Sequence, residues 1–247
     1  INYNTKDPVL ADAGMRQAFS MLIDQNSIVN DIYQGVDKVA TSIILPSSWA
    51  FSPDIKQPTF DVAGAVAKFN ELGWKDTDGD GILDKDGKKL TVTIATHSED
   101  PNRVQAVELE QAIFQSAGVD AKVQISDWPS FSTNYVMKSE HQIALLGWLN
   151  IVDPDRLLFN QLSTGGATNW GGYSNPEVDK LLQLGRSSLD QAARKDAYQK
   201  AAKILASDLP YYIISDQGYQ LFYKKPFPVD VDVTPRGNFR GLIGMPK

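Results

Sequence analysis

The chain has 247 residues, 42% hydrophobic and 22% charged, which is ordinary for a soluble globular protein and enough for one large domain or two small ones. No apolar run is long enough to span a bilayer. The net charge of −6, with no basic block, argues against nucleic acid and anionic membrane as partners and against membrane insertion of this segment. There are no cysteines, which excludes disulfides, thiolate catalysis and Cys-based zinc sites. The start Ile1-Asn2-Tyr3-Asn4-Thr5 has no Met and no apolar signal segment. It reads as a strand already under way, so the chain is expected to be a fragment or processed form of something longer.

In chain order, Met15, Ala18, Phe19 and Leu22 fall at helical spacing and predict an amphipathic helix over 13–23. A short helix with Ile28, Ile32 and Tyr33 on one face follows. Residues 35–58, rich in Ser and Pro, are expected to be irregular and held down by aromatics. Asp61 is placed to cap a helix over 62–72, and Gly73 to end it. After the Asp/Gly loop 76–87 the chain alternates: strand 90–95, helix 102–117 stopped by Gly118, strand 121–126, helix 130–138, buried strand 143–148. That alternation predicts an α/β fold, a mixed but mostly parallel sheet with helices on both faces. Three helices in series follow, 155–162, 177–187 and 191–207, each with an Asp or Asn cap. Residues 210–215 and 219–224 look like a hairpin. The lobe is therefore assigned to 1–225, and 226–247 to an irregular tail.

The most informative stretch is Gly147-Trp148-Leu149-Asn150 and, further on, Asn169-Trp170-Gly171-Gly172-Tyr173. Indole faces stack and amides hydrogen-bond, and open α/β sheets bind ligands at the carboxyl ends of their strands. Trp148, Leu149, Asn150, Asn169, Trp170, Tyr173 and Trp128 are the candidate ligand contacts. Core packing is the competing reading for the tryptophans. Asp153-Pro154-Asp155 and Asn175-Pro176-Glu177 read as helix starts rather than acid/base pairs. Asp76, Asp78, Asp80 and Asp84, with a carbonyl from Ile82, match the first nine positions of an EF-hand-type calcium loop. Position twelve would be Gly87, which has no carboxylate, so a Gly-rich turn with solvated acids is the other reading. No cofactor is required; structural Ca²⁺ is a possibility kept open. His97 and His141 are the only histidines and read as lone surface residues. No nucleophile elbow, P-loop or dinucleotide fingerprint occurs, which agrees with binding rather than catalysis.

Five segments in order carry a family resemblance: Asn4-Thr5 with Arg16-Gln17-Ala18 and Ile23-Asp24; Phe60-Asp61 through Gly73-Trp74; Asp78-Gly79-Asp80-Gly81-Ile82 with Asp86-Gly87-Lys88; Gly118-Val119 through Trp128 with Ile143–Trp148; and Asn169 through Asp179. Together they resemble extracellular solute-binding protein family 5, which serves peptide- and nickel-type ABC importers. The resemblance implies the C-terminal lobe of a two-lobed, type II periplasmic-binding-protein-like clamp. It implies as partners a small-molecule solute, an N-terminal lobe of the same protein and an ABC permease. It also implies a periplasmic or extracellular, membrane-anchored setting, with any signal or lipid anchor upstream. The chain departs from the peptide-binding pattern in the loop Leu149-Asn150-Ile151-Val152, which offers no carboxylate before Asp153; that favours an uncharged ligand such as a sugar. The alternative from another class is a fragment of a secreted polysaccharide- or peptide-degrading hydrolase. It needs two carboxyls roughly 5–10 Å apart across an open cleft.

Overall fold

The computed structural model describes residues 1–148 and 153–217, together with the backbone of 232–233 and 239–240. Its centre is a four-stranded sheet in the order β1 (Asn2–Tyr3), β7 (Ile143–Ala144), β5 (Thr91–His97), β6 (Asp120–Ser126). β5 runs parallel to both β6 and β7, and β1 is antiparallel to β7, so the sheet is mixed and mostly parallel. Beyond β1, residues 210–212 add a further extended segment: Tyr3 N–H donates to the Pro210 carbonyl and Tyr212 N–H to that of Ile1.

The period of two along β5 sorts its side chains. Val92 and Ile94 enter the main core with Ile143 and Leu145. Ala95 faces the other way, against Ala144, Phe131 and Val136. The main core is covered by α4 (Pro101–Ser116), α1 (Ala13–Met21) and α3 (Val62–Glu71), through Phe19, Phe69 and Phe114. The opposite face is covered by the helical turn Ser130–Val136, which is wound as a π-helix rather than the α-helix expected over 130–138. The short helix near residue 28 likewise splits into α2 (Gln25–Ser27) and a π-turn Ile28–Ile32.

The caps read from the sequence are in place. Asp61, Asp153, Asn175 and Asp190 each accept a backbone N–H at the start of a helix; Asp100, for which no cap was expected, does the same for α4. Gly73 and Gly118 follow α3 and α4 with φ of 89° and 80°, where an L side chain would be strained. The helices α5 (Pro154–Leu162), α6 (Pro176–Ser187) and α7 (Gln191–Asp208) form a second core around Leu158, Leu182 and Tyr198. The irregular segment 35–58 closes it with Ile44, Trp49 and Phe51. Two buried amides pin that segment: Gln25 and Gln57 both donate to the carbonyls of Ala40 and Ile213.

Two expectations change. The first arm of the expected C-terminal hairpin pairs elsewhere: residues 210–212 with β1, and β8 (Ser215–Asp216) with β2 (Lys38–Val39). Its second arm, 219–224, lies outside the described residues. In the tail expected to be irregular, β9 (Asp232–Val233) and β10 (Phe239–Arg240) form an antiparallel ladder.

Candidate functional site

β5, β6 and β7 all point their carboxyl ends at one edge of the sheet, and the chemistry gathers there. At the end of β5, His97 is 8% exposed. Its ring lies 5.0 Å from that of Trp128, edge to face, and 5.7 Å from that of Phe131. Trp128 follows β6 and is 46% exposed, so one face of the indole remains open. Beyond β7, the Trp148 ring lies 5.1 Å from Trp170 at an interplanar angle of 34°. Trp170 itself packs on the Phe131 cluster. The ring edge N–H of Trp148 is buried and without a partner among the described residues.

A polar chain threads these rings. Glu99 accepts from the Trp128 backbone N–H at 2.8 Å and faces His97 Nδ1 at 3.1 Å. The first of these bonds, and then His97, hold the Glu99 carboxyl below its usual range. Arg103, in the first turn of α4, donates from Nη1 to His97 Nε2 at 2.8 Å. Its Nε lies 3.2 Å from Asp100 Oδ2, while Asp100 Oδ1 caps the helix. The guanidinium rests on the backbone of Gly147: a Cβ there would stand 2.3 Å from Nη2. Only glycine leaves room for this approach.

The expected ligand contacts therefore separate. Trp128, Trp148 and Trp170 lie at the strand-end edge. Tyr173 does not: it is 5% exposed in the second core, and its hydroxyl donates to Asp208. The Asn169 side chain is spent on its own loop, donating to the Ser163 and Tyr173 carbonyls and accepting from Tyr173 N–H. Leu149 and Asn150 lie outside the described residues. The histidines are not the surface residues expected. His141 is buried, its Nε2 2.6 Å from Asn2 Oδ1, and burial pushes its pKa down to about 4. Arg103, His97, Glu99 and Phe131 were not read as site residues. The one available signal was that Arg103 lies in the first turn of a helix directly after a strand.

The acidic loop sits at the other end of β5 and β6, where Leu83 N–H donates to the Gly118 carbonyl. β3 (Asp84–Lys85) and β4 (Lys88–Lys89) form a hairpin whose turn, Asp86-Gly87, has φ of 51° and 73°. Both positive angles are what a two-residue primed turn requires. Carboxylate oxygens of Asp76, Asp78 and Asp84 lie within 4.8 Å of one another. Asp76 accepts from Gly79 and Gly81 N–H, Asp80 from Ile82 N–H, and Asp84 from Thr77. The Lys89 ammonium lies 2.7 Å from Asp78, 2.8 Å from Asp80 and 3.9 Å from Asp84. That side chain brings a positive charge to the place where a cation would be sought. Its bond holds the Asp78 carboxyl down, and the Thr77 N–H does the same for Asp84.

The model of bacterial extracellular solute-binding proteins, family 5 Middle, matches residues 1–170, more than half of the chain. The chain belongs to this family. It is 32% identical over 215 residues to the oligopeptide-binding protein AppA of Bacillus subtilis, covering 85% of this chain and 40% of that protein. It is 26% identical over 219 residues to a dipeptide-binding protein of Escherichia coli, covering 87% and 39%. Among solved structures, Bacillus subtilis AppA in complex with a nonapeptide superposes with a TM-score of 0.80 at 29% identity, over 87% of this chain and 43% of that one. NikZ of Campylobacter jejuni, in complex with Ni(L-His), gives 0.79 at 28% identity, over the same shares, 87% and 43%. The family member described here thus spans about two-fifths of the length of these relatives and shares their α/β fold. Among the described residues no helix is long and apolar enough to cross a membrane.

Proposed function

We propose that this segment is one lobe of a two-lobed clamp that captures a small solute outside the cytoplasm and delivers it to an ABC permease. The observation that carries the reading is that Trp128 and Trp170 both pack at Phe131, with Trp148 against Trp170 and the Arg103 guanidinium bonded to His97 beside Trp128, at the carboxyl edge of a mostly parallel sheet. Open α/β sheets bind ligands at that edge. A clamp gains affinity by enclosing its solute between two such faces and expelling water from both. The opposing face would come from the N-terminal lobe of the same protein. The setting would be periplasmic or tethered to the outer side of a membrane.

Oligopeptide is the solute class we favour: of the relatives named above, AppA has the highest identity and is an oligopeptide-binding protein, and a dipeptide-binding protein also matches. Sugar is the second class, suggested by the missing carboxylate in 149–152. The lobe has no catalytic part in this reading. Among the described residues, Glu99, Asp100 and Asp127 at the edge are occupied by backbone N–H groups and by His97, Arg103 and Ser130 rather than aimed as a free pair, which counts against the hydrolase alternative. Structural Ca²⁺ on Asp76, Asp78, Asp80, Ile82 and Asp84 would be remote from the solute and would have to displace Lys89.

The test is calorimetry on the full-length receptor with peptides of two to nine residues and with oligosaccharides. Trp148→Ala and Trp128→Ala should each weaken the bound solute at least tenfold while leaving the melting temperature nearly unchanged. A stability loss of several kcal/mol with unchanged affinity would assign these rings to packing alone.

A further inference from the structure

β6 is the last strand of the sheet: β5 lies on one side of it and, among the described residues, no strand lies on the other. A strand in a ladder turns its backbone polar groups alternately to its two sides. The bonds at the two ends of β6 fix the phase. Asp120 N–H donates to the Leu90 carbonyl, and the Ser126 carbonyl accepts from Ser98 N–H. Asp120, Lys122, Gln124 and Ser126 therefore turn their backbone groups to β5, while Ala121, Val123 and Ile125 turn theirs outward.

Ala121 is provided for. Its N–H donates to the Val119 carbonyl, and the side chains of Gln111 and Gln115, one turn apart on α4, both donate to its own carbonyl. Val123 and Ile125 have no such cover: among the described residues nothing bonds their outward N–H and C=O groups. The Ile125 side chain, 41% exposed, stands beside them. After Ser126 the edge ends, because Asp127 is taken up by the next turn, where its side chain accepts from Ser130 and its carbonyl from Phe131 N–H. The open stretch is thus Val123–Ile125, bounded at both ends.

An open strand edge is a template for another strand. This one is complementary to itself. With a second copy laid antiparallel about a two-fold axis at Gln124, Val123 of each copy meets Ile125 of the other. Each such pair exchanges both of its N–H···O bonds, so every open group on both copies is used. The side chains agree with that register. Gln124 meets Gln124, and two amides can each donate and accept. Lys122 meets Ser126 rather than a second Lys122, and its ammonium lies 3.4 Å from Asp120 on its own strand. No like charges are opposed. Ile125 is covered by Val123 of the other copy.

We propose that β6 is a self-association edge: two copies of this chain pair antiparallel through it, Val123 with Ile125, and one sheet runs through both. Pairing consumes the open stretch on each copy, so association through this edge stops at two. The carboxyl edges of the two sheets then point in opposite directions. The inference goes beyond solute capture and does not depend on it.

The experiment is sedimentation equilibrium on the whole chain from micromolar to millimolar concentration, with amide hydrogen exchange followed by NMR over the same range. A monomer–dimer equilibrium should appear. Exchange at Val123 and Ile125 should slow as concentration rises, while Gln124, already bonded to β5, should not change. Val123→Pro and Ile125→Pro each delete one outward N–H and put a ring where the other strand would lie. Proline is accommodated on an edge strand at such positions, so both variants should fold, and each should raise the dimer dissociation constant at least tenfold. Ser126→Lys, which opposes Lys122 of the other copy, should raise that constant at least twofold, and Ser126→Glu should lower it. Should a proline variant fail to fold, the two Ser126 variants and the exchange profile decide. A chain that stays monomeric at millimolar concentration, association that runs past the dimer, a dimer unchanged in folded proline variants or in Ser126→Lys, or exchange at Val123 and Ile125 that ignores concentration would each overturn the inference.

Discussion

Glu110 lies in the middle of α4, fully buried in the main core, with neither carboxylate oxygen hydrogen-bonded among the described residues. Burial pushes its pKa up from 4.5 to about 8; the nearby amino group of Ile1 opposes this only in part. The folded state therefore keeps a proton that the unfolded chain releases above pH 4.5. The contribution to stability is fully present below that value and is lost as pH rises toward 8. A 3.5-unit shift corresponds to roughly 5 kcal/mol at most, at 1.36 kcal/mol per unit. Water reaching the site would lower the figure, so about 2–5 kcal/mol is expected.

The unfolding free energy should therefore carry a downward slope from this group between pH 5 and 8. Glu110→Leu removes that slope. The variant should match or fall below the parent near pH 5 and gain on it steadily to pH 8, by about 2–5 kcal/mol in all. Urea unfolding followed by tryptophan fluorescence at half-unit pH steps measures the difference between the two curves, which isolates Glu110. Parallel curves from pH 5 to 8 would show that the carboxyl finds a partner or water and that the burial argument is wrong.

Three further outcomes follow from named contacts. Arg16→Met should cost about 3–5 kcal/mol, because the buried guanidinium donates to the carbonyls of Leu10, Ala11, Asp208 and Leu209 and leaves all four unserved when removed; a urea midpoint within error of the parent refutes this. Gly185→Ala should destabilise by about 1–3 kcal/mol and loosen α6 from α7, since a Cβ there meets the Tyr198 ring at 2.6 Å; an unchanged thermal midpoint would mean the helices shift freely. In the acidic loop, millimolar Ca²⁺ should raise the melting temperature of Lys89→Met and leave the parent nearly unmoved, because the ammonium already bridges Asp78 and Asp80; a rise in the parent that Asp78→Ala abolishes would instead show the ion displacing the lysine.

Local chemistry made much of this protein legible in one dimension. Helix starts at Asp61, Asp153, Asn175 and Asp190, and stops at Gly73 and Gly118, depend on groups within three or four residues of each other, so they can be read along the chain. The strand–helix alternation implied a covered, mostly parallel sheet for the same reason, and the order of motifs pointed to the family. What depended on distant partners could not be read. α7 ends on Leu209 in a left-handed conformation, with φ of 46°, where no glycine marks the end; Arg16, nearly two hundred residues earlier, holds the Leu209 carbonyl. Residues 210–215 looked like a hairpin arm, yet the backbone of 210–212 pairs with β1 and Ser215 with β2, segments far away in sequence that come alongside only in the folded chain. Tyr173 and Trp170 are three residues apart in one aromatic loop; only the packing sends the first into the helical core and the second to the strand ends. The same holds for His97 and Arg103: a lone histidine and a helix-surface arginine in sequence become one hydrogen-bonded unit, because the strand end and the first turn of the next helix are brought to the same edge.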